Sequence, residues 1–311
     1  MKAARIAQYG DAGVVAVEEL PRPPLGAGMV LVEVHAASLN PADSSIRQGY
    51  MHQMMPLSFP ATLGSDIAGV VIETGPGVSA VRNGDRVFGM ASVMAGGSGA
   101  FADYAAVPAG LLAKVPGTLS FAEAAALPVA GVSALQAIET LKVSKGSTLF
   151  IQGGSGGIGS FAIQIARHLG ARVIASCRGS AVSYVKSLGA DQVIDFETSP
   201  LPGALHDLDA VLDTAGGAAY KAAFAVLKKG GTIITIAAMP DAELAARHGV
   251  TALGQMTEVT TARLQRLGEL VAAGKVKVHI ERTFPLDKIR DAFVAREAGH
   301  VKSKIVLKIR D

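Results

Sequence analysis

FIQGGSGGIGSF, residues 150–161, decides the fold. An apolar run suited to a buried strand breaks into glycines, and an apolar segment with helical spacing follows. Gly154, Gly156 and Gly159 satisfy G-x-G-x-x-G between a strand, STLFIQGG (147–154), and a helix, SFAIQIARHLG (160–170). Glycine is needed there for a tight turn, for backbone approach to a pyrophosphate and for close helix–strand packing. The free N–H groups at the start of such a helix favour an anion. Ser155, Gly157 and Ile158 complete the expected phosphate cradle.

The same letters fit G-x-x-x-G-x-G through Gly153, Gly157 and Gly159, the fingerprint of short-chain dehydrogenases. That fingerprint belongs near an N-terminus, whereas here about 150 residues precede it. The catalytic Tyr-x-x-x-Lys of that class follows none of the five tyrosines.

Outward from the loop, the elements alternate. ARVIASC (171–177) reads as a strand, SYVKSLG (183–189) as a helix, QVIDF (192–196) and LDAVLDTAG (208–216) as strands. YKAAFAVLKKGG (220–231) reads as a helix and TIITIAA (232–238) as a strand. Alternation with short turns predicts a doubly wound parallel sheet of the Rossmann type. Carboxyl ends of such strands line the ligand, which nominates Ala215, Gly216, Ala237 and Ala238. Residues 1 to about 120 carry short strands and turns instead, among them VLVEVHAAS (30–38), IAGVVIETG (67–75) and DRVFGM (85–90). FAEAAALPVAGVSALQAIETL (121–141) reads as helix, and the tail as helix 261–274, a strand, helix 287–299 and a strand over 303–309.

A site preferring NAD places Asp or Glu at the end of the second strand to accept from the ribose 2′-OH. No acidic residue lies between Gly159 and Asp191. The strand ends instead in Ser176-Cys177-Arg178-Gly179-Ser180. An arginine with neighbouring hydroxyls binds a 2′-phosphate. NADPH is therefore the expected cofactor, with Arg178 the main contact and Ser176 and Ser180 assisting.

With 311 residues, the chain is long enough for two domains. Half the residues are apolar, 18% are charged and the net charge is +3, with no block of like charges, so no nucleic-acid partner is expected. A single cysteine, Cys177, excludes an internal disulfide. Neither a signal-type N-terminus nor an apolar run of spanning length is apparent, so a cytoplasmic protein without a membrane partner is expected.

Several separated stretches resemble the medium-chain dehydrogenases/reductases, specifically the zinc-free quinone oxidoreductase (ζ-crystallin-like) branch. They are AASLNPADSSIRQG (36–49), LGSDIAGVV (63–71), GDRVFGM (84–90), GAFADYAAVPAGLLAKVP (99–116), ALPVAGVSALQAI (126–138) and GHVKSKIVL (299–307). The resemblance implies a GroES-like β-rich substrate domain built from residues 1–122 and 265–311, around a Rossmann domain at 123–264. Zinc-using relatives hold their metal with Cys, His and a further Cys or carboxylate. The matching positions are Asn40, Ser65 and an apolar residue near Val129, so no metal is expected. His35, His52 and Asp66 have no ligand-like spacing.

The resemblance further implies hydride transfer from NADPH to a small, hydrophobic, electron-poor acceptor, a quinone or an α,β-unsaturated carbonyl. It places Asn40 beside the nicotinamide and the substrate, and Ser133 against the cofactor. Quinone reductases of this branch often have a tyrosine where Ser45 stands. Mitochondrial enoyl reductases have one close to Tyr50, which makes Tyr50 the candidate proton donor. Met51, Met54, Met55 and Leu57 form an apolar loop suited to a hydrophobic pocket or to core packing. Relatives pair edge strands of their sheets as homodimers, and HGVTALGQM (248–256) contains a candidate edge strand. A non-catalytic NADPH-binding protein, crystallin-like or sensory, and a zinc alcohol dehydrogenase are the competing readings.

Overall fold

The computed structural model describes residues 1–53, 55–117, 119–199 and 205–310. Met54 of the apolar loop lies outside them. The chain forms two compact units, one of Met1–Val132, Val259–Ala273 and Val278–Asp311, the other of Ser133–Glu258 and Gly274–Lys277.

In the second unit, six parallel strands form one sheet. Their order is Gln192–Asp195, Arg172–Cys177, Thr148–Gln152, Leu208–Asp213, Leu227–Thr235 and Thr251–Gly254. The order of strand positions along the chain, 3-2-1-4-5-6, is that of a dinucleotide fold, and it reverses at the strand feeding the glycine loop. Phe150, Val211, Phe224 and Ile233 are buried in its core.

Two expected elements are corrected. Residues 220–231 are not one helix: a helix spans Gly217–Ala222, a 3-10 turn Ala223–Val226, and Leu227 opens the strand Leu227–Thr235. Leu227 pairs with Leu208 across the sheet, so ladder hydrogen bonding overrides the helical spacing of the two lysines. Residues 121–141 likewise split into helices Phe121–Ala125 and Pro128–Thr140. Proline lacks the N–H that a continuous helix needs and starts a new one instead.

In the first unit, seven strands form a largely antiparallel sheet. The long strand Met29–Leu39 lies beside Asp66–Thr74 and also pairs with Tyr104–Pro108. The tail strand Lys304–Lys308 runs antiparallel to the end of the same long strand, with Ile305 opposite Leu39. Val30, Val32, Val34, Ile67, Phe101, Phe293 and Leu307 pack the core. The chain's last strand thus completes a sheet begun by its first hundred residues.

Candidate active site

The glycine loop is shaped as its composition demands. The first strand ends at Gln152, and the helix Gly157–His168 starts after Gly156 in extended conformation. Gly153 has φ +75°, in the left-handed region that favours glycine. A Cβ on Gly159 would run into the Gly153 carbonyl oxygen and come within 2.8 Å of Gly154 Cα. A Cβ on Gly154 would stand 2.9 Å from the side chain of Ala175 on the second strand. Gly154 N–H donates to the Ser176 carbonyl at 2.8 Å, tying the loop to that strand's end. No acidic residue stands in the helix's first turn, so its free N–H groups face no carboxylate from their own helix.

Asp213, which sequence reasoning did not single out, organises the next strand ends. Its Oδ1 accepts from Ala215 N–H at 3.0 Å and Gly216 N–H at 2.9 Å. Its Oδ2 accepts from the Thr235 hydroxyl at 2.7 Å. Thr235 Oγ1 in turn accepts from Ala237 and Ala238 N–H at 3.2 and 3.0 Å. Ala215, Gly216, Ala237 and Ala238 are therefore brought together by one buried carboxylate. Ser133 is fully buried, and its carbonyl and hydroxyl accept from Gln255 Nε2 at 2.9 and 3.2 Å.

Arg178 directly follows the second strand, which ends at Cys177, and it is not alone. Parallel pairing sets Cys177 opposite Asp195 and so carries Glu197 beside Arg178. Arg178 Nη1 lies 3.4 Å from Glu197 Oε1. Cys177 is buried, and burial together with the Asp195 carboxylate pushes its thiol up to about 11, so it stays protonated and inert as a nucleophile.

In the first unit, Asn40 caps the helix Pro41–Gln48 and is only 4% exposed. Its Nδ2 donates to Asp66 Oδ2 at 2.8 Å, while its Oδ1 accepts from Lys304 Nζ at 2.6 Å. Lys304 also pairs with Asp66 Oδ2 at 3.3 Å. Asp66 accepts further from the Ser38 hydroxyl at 2.9 Å and from Val129 N–H at 2.9 Å. Asp43 accepts from Asn40 N–H at 2.7 Å and the Ser65 hydroxyl at 3.0 Å. Burial lowers the Lys304 ammonium's pKa against the pull of Asp66 and Asp43. Burial also raises Asp43 to about 7, countered by the Asn40 N–H and aided by the nearby Asp66. Tyr50 lies just past the far end of that helix, beyond Gly49, and is 78% exposed. An eight-residue helix is about 12 Å long, so Asn40 and Tyr50 are not neighbours. Met55 and Leu57 are partly buried, and Leu57 packs on the first unit's core.

Residues 26–117 match the alcohol dehydrogenase GroES-like domain, and residues 188–307 the zinc-binding dehydrogenase domain. The chloroplast envelope quinone oxidoreductase homolog of Arabidopsis thaliana is 34% identical over 315 residues, covering 96% of this chain and 94% of that protein. The chain belongs to the medium-chain dehydrogenase/reductase superfamily. Within the superfamily it falls in the quinone-oxidoreductase branch. The solved quinone oxidoreductase of Coxiella burnetii superposes with a TM-score of 0.93 at 33% identity, covering 100% of this chain and 99% of that one. The NADPH-dependent alkenal/one oxidoreductase of Arabidopsis thaliana chloroplasts is 33% identical over 319 residues, covering 99% of this chain and 79% of that protein.

Zinc-using members of the superfamily need three N, S or O ligands. At Asn40, Ser65 and Val129 this chain offers an amide, a hydroxyl and an apolar side chain, the first two engaged with Asp66 and Asp43. Among the described residues, no three His, Cys, Asp or Glu side chains are grouped to hold a metal. The donor set at these positions does not fit zinc. No helix among the described residues is long and apolar enough to cross a membrane.

Proposed function

We propose that this protein is an NADPH-dependent, zinc-independent reductase of quinones or of the C=C bond of α,β-unsaturated carbonyls. The superfamily and the names of its relatives carry the coarser part, oxidoreduction with a nicotinamide nucleotide. The observation that supports the finer part is the buried cluster around Asn40, whose amide is held between Asp66 and the Lys304 ammonium. When bound, the cofactor supplies a hydride, and an acceptor that is already electron-poor needs no metal to receive it.

The chain's own residues hold and orient. The Gly154–Gly159 turn receives the pyrophosphate on free N–H groups, and Arg178 receives the 2′-phosphate. The Asp213-organised strand ends shape the wall beside the cofactor. Lys304 and Asp66 fix both sides of the Asn40 amide, which leaves one Nδ2–H to donate to a substrate oxygen as negative charge builds on it. The proton that completes the reduction comes from solvent, because Tyr50 is exposed beyond the far end of the helix that Asn40 caps.

NADPH consumption measured against a panel of quinones, enones and 2-alkenals tests the reading, with elemental analysis alongside. Turnover by protein free of stoichiometric zinc is expected. Tight NADPH binding with no turnover on any acceptor would instead favour a non-catalytic binding protein, and activity that tracks zinc content a zinc dehydrogenase. Among the described residues the strand Thr251–Gly254 is an edge of its sheet, with Leu253 and Met256 exposed, which supports a homodimer formed by edge pairing. Light scattering should then give twice the 31.7 kDa chain mass.

A further inference from the structure

The anion seat at the end of the second strand already holds an anion. Phe196 N–H donates to the Cys177 carbonyl at 3.2 Å, which carries the chain past Asp195 and alongside Arg178. There Glu197 Oε1 faces Arg178 Nη1 at 3.4 Å, and Glu197 Oε2 accepts from Gly179 N–H at 3.2 Å. One guanidinium and one backbone N–H thus converge on one carboxylate. These are the two donors that a 2′-phosphate at this strand end would use. Asp195 adds a second negative charge: its Oδ1 accepts from Glu197 N–H at 3.0 Å, and its Oδ2 lies 2.8 Å from where a Gly179 Cβ would stand. Glu197 and Asp195 together carry two negative charges against the one positive charge of Arg178 before any phosphate arrives.

We propose that Glu197 is a specificity-determining residue that occupies the 2′-phosphate seat from within the chain and so limits the preference for NADPH over NADH. This rests on the reading that Arg178 receives the 2′-phosphate. A phosphate carrying about −1.5 to −2 charges cannot share these donors with a carboxylate, so Glu197 must swing out when NADPH binds. It is free to do so, since its side chain and that of Arg178 are 46% and 45% exposed and a surface ion pair is weak. With NADH, Glu197 stays in place, and its oxygens are available to the ribose 2′-OH as acceptors. The cofactor discrimination set by Arg178 is therefore partly cancelled by a residue nineteen positions further on.

Calorimetric titration with 2′,5′-ADP and with ADP, which lacks the 2′-phosphate, tests this at low salt. Wild type, Glu197→Gln, Glu197→Ala and Arg178→Ala are compared. Both Glu197 variants should bind 2′,5′-ADP about tenfold more tightly, the scale of one charge a few ångströms from a phosphate in partly screened water. Their ADP affinity should stay within about twofold of wild type, and the gain should shrink as salt is added. If Arg178→Ala weakens 2′,5′-ADP selectively while both Glu197 variants bind it as wild type does, or tighten both nucleotides alike, Glu197 does not compete and the inference fails alone. If Arg178→Ala weakens both nucleotides equally, the 2′-phosphate reading fails, and this inference with it.

Discussion

Gly159 leaves no room for a methyl group. The Cβ of an alanine there would meet the Gly153 carbonyl and Gly154 Cα, both backbone atoms of the turn itself. Gly159→Ala should cost about 1–3 kcal/mol in urea unfolding and weaken NADPH binding; an unchanged protein would show that the turn tolerates a wider approach. Lys304 is the counterpart in the first unit. It is 2% exposed and neutralises Asp66, which is fully buried. Lys304→Met should lower stability by about 3–5 kcal/mol, since it strands a buried carboxylate. Adding Asp66→Asn should recover part of that loss. A double variant no more stable than the single one would mean that the pair is not the source of the cost.

Elements are joined here by carboxylates at strand ends. Asp213 closes its own strand and reaches the Thr235 hydroxyl on the next one, so that the turns after both strands share one acceptor. Asp213→Ala should cost about 1–3 kcal/mol, because buried donors lose their partner. NADPH affinity should fall with it, whereas a purely local role would leave affinity unchanged in titrations well below the unfolding transition. The sequence pattern located most of these strands, because alternation and turn residues are local signals. It misread residues 220–231, because the pairing of Leu227 with Leu208 is a long-range fact that helical spacing does not contain.

Taken as one molecule, the protein carries a pH signature in its first unit. The folded-state pKa of Asp43 is raised from 3.8 to about 7, first by burial. The folded state then binds a proton that the unfolded chain has already lost, so Asp43's contribution is fully present below about pH 4 and disappears as pH rises to about 7. Denaturant melts at pH 5 and pH 8 should show the higher stability at pH 5, and Asp43→Asn should remove most of that difference. An equal difference in the variant would assign the pH dependence to other groups.

The glycine spacing and the strand–helix alternation are written in consecutive residues, and they sufficed for the dinucleotide fold. Asn40 was singled out only through resemblance, since its side-chain partners Asp66 and Lys304 lie far from it along the chain. What tertiary structure alone decided are the meetings between distant residues. Ser38 lies opposite Asp66, and Ile305 opposite Leu39, in the first unit's sheet, which seats the Lys304 ammonium on Asn40. In the other sheet, Cys177 opposite Asp195 brings Glu197 to Arg178. The second strand's missing acid is supplied by its neighbour, because a parallel ladder sets strand ends side by side whatever the separation between them along the chain.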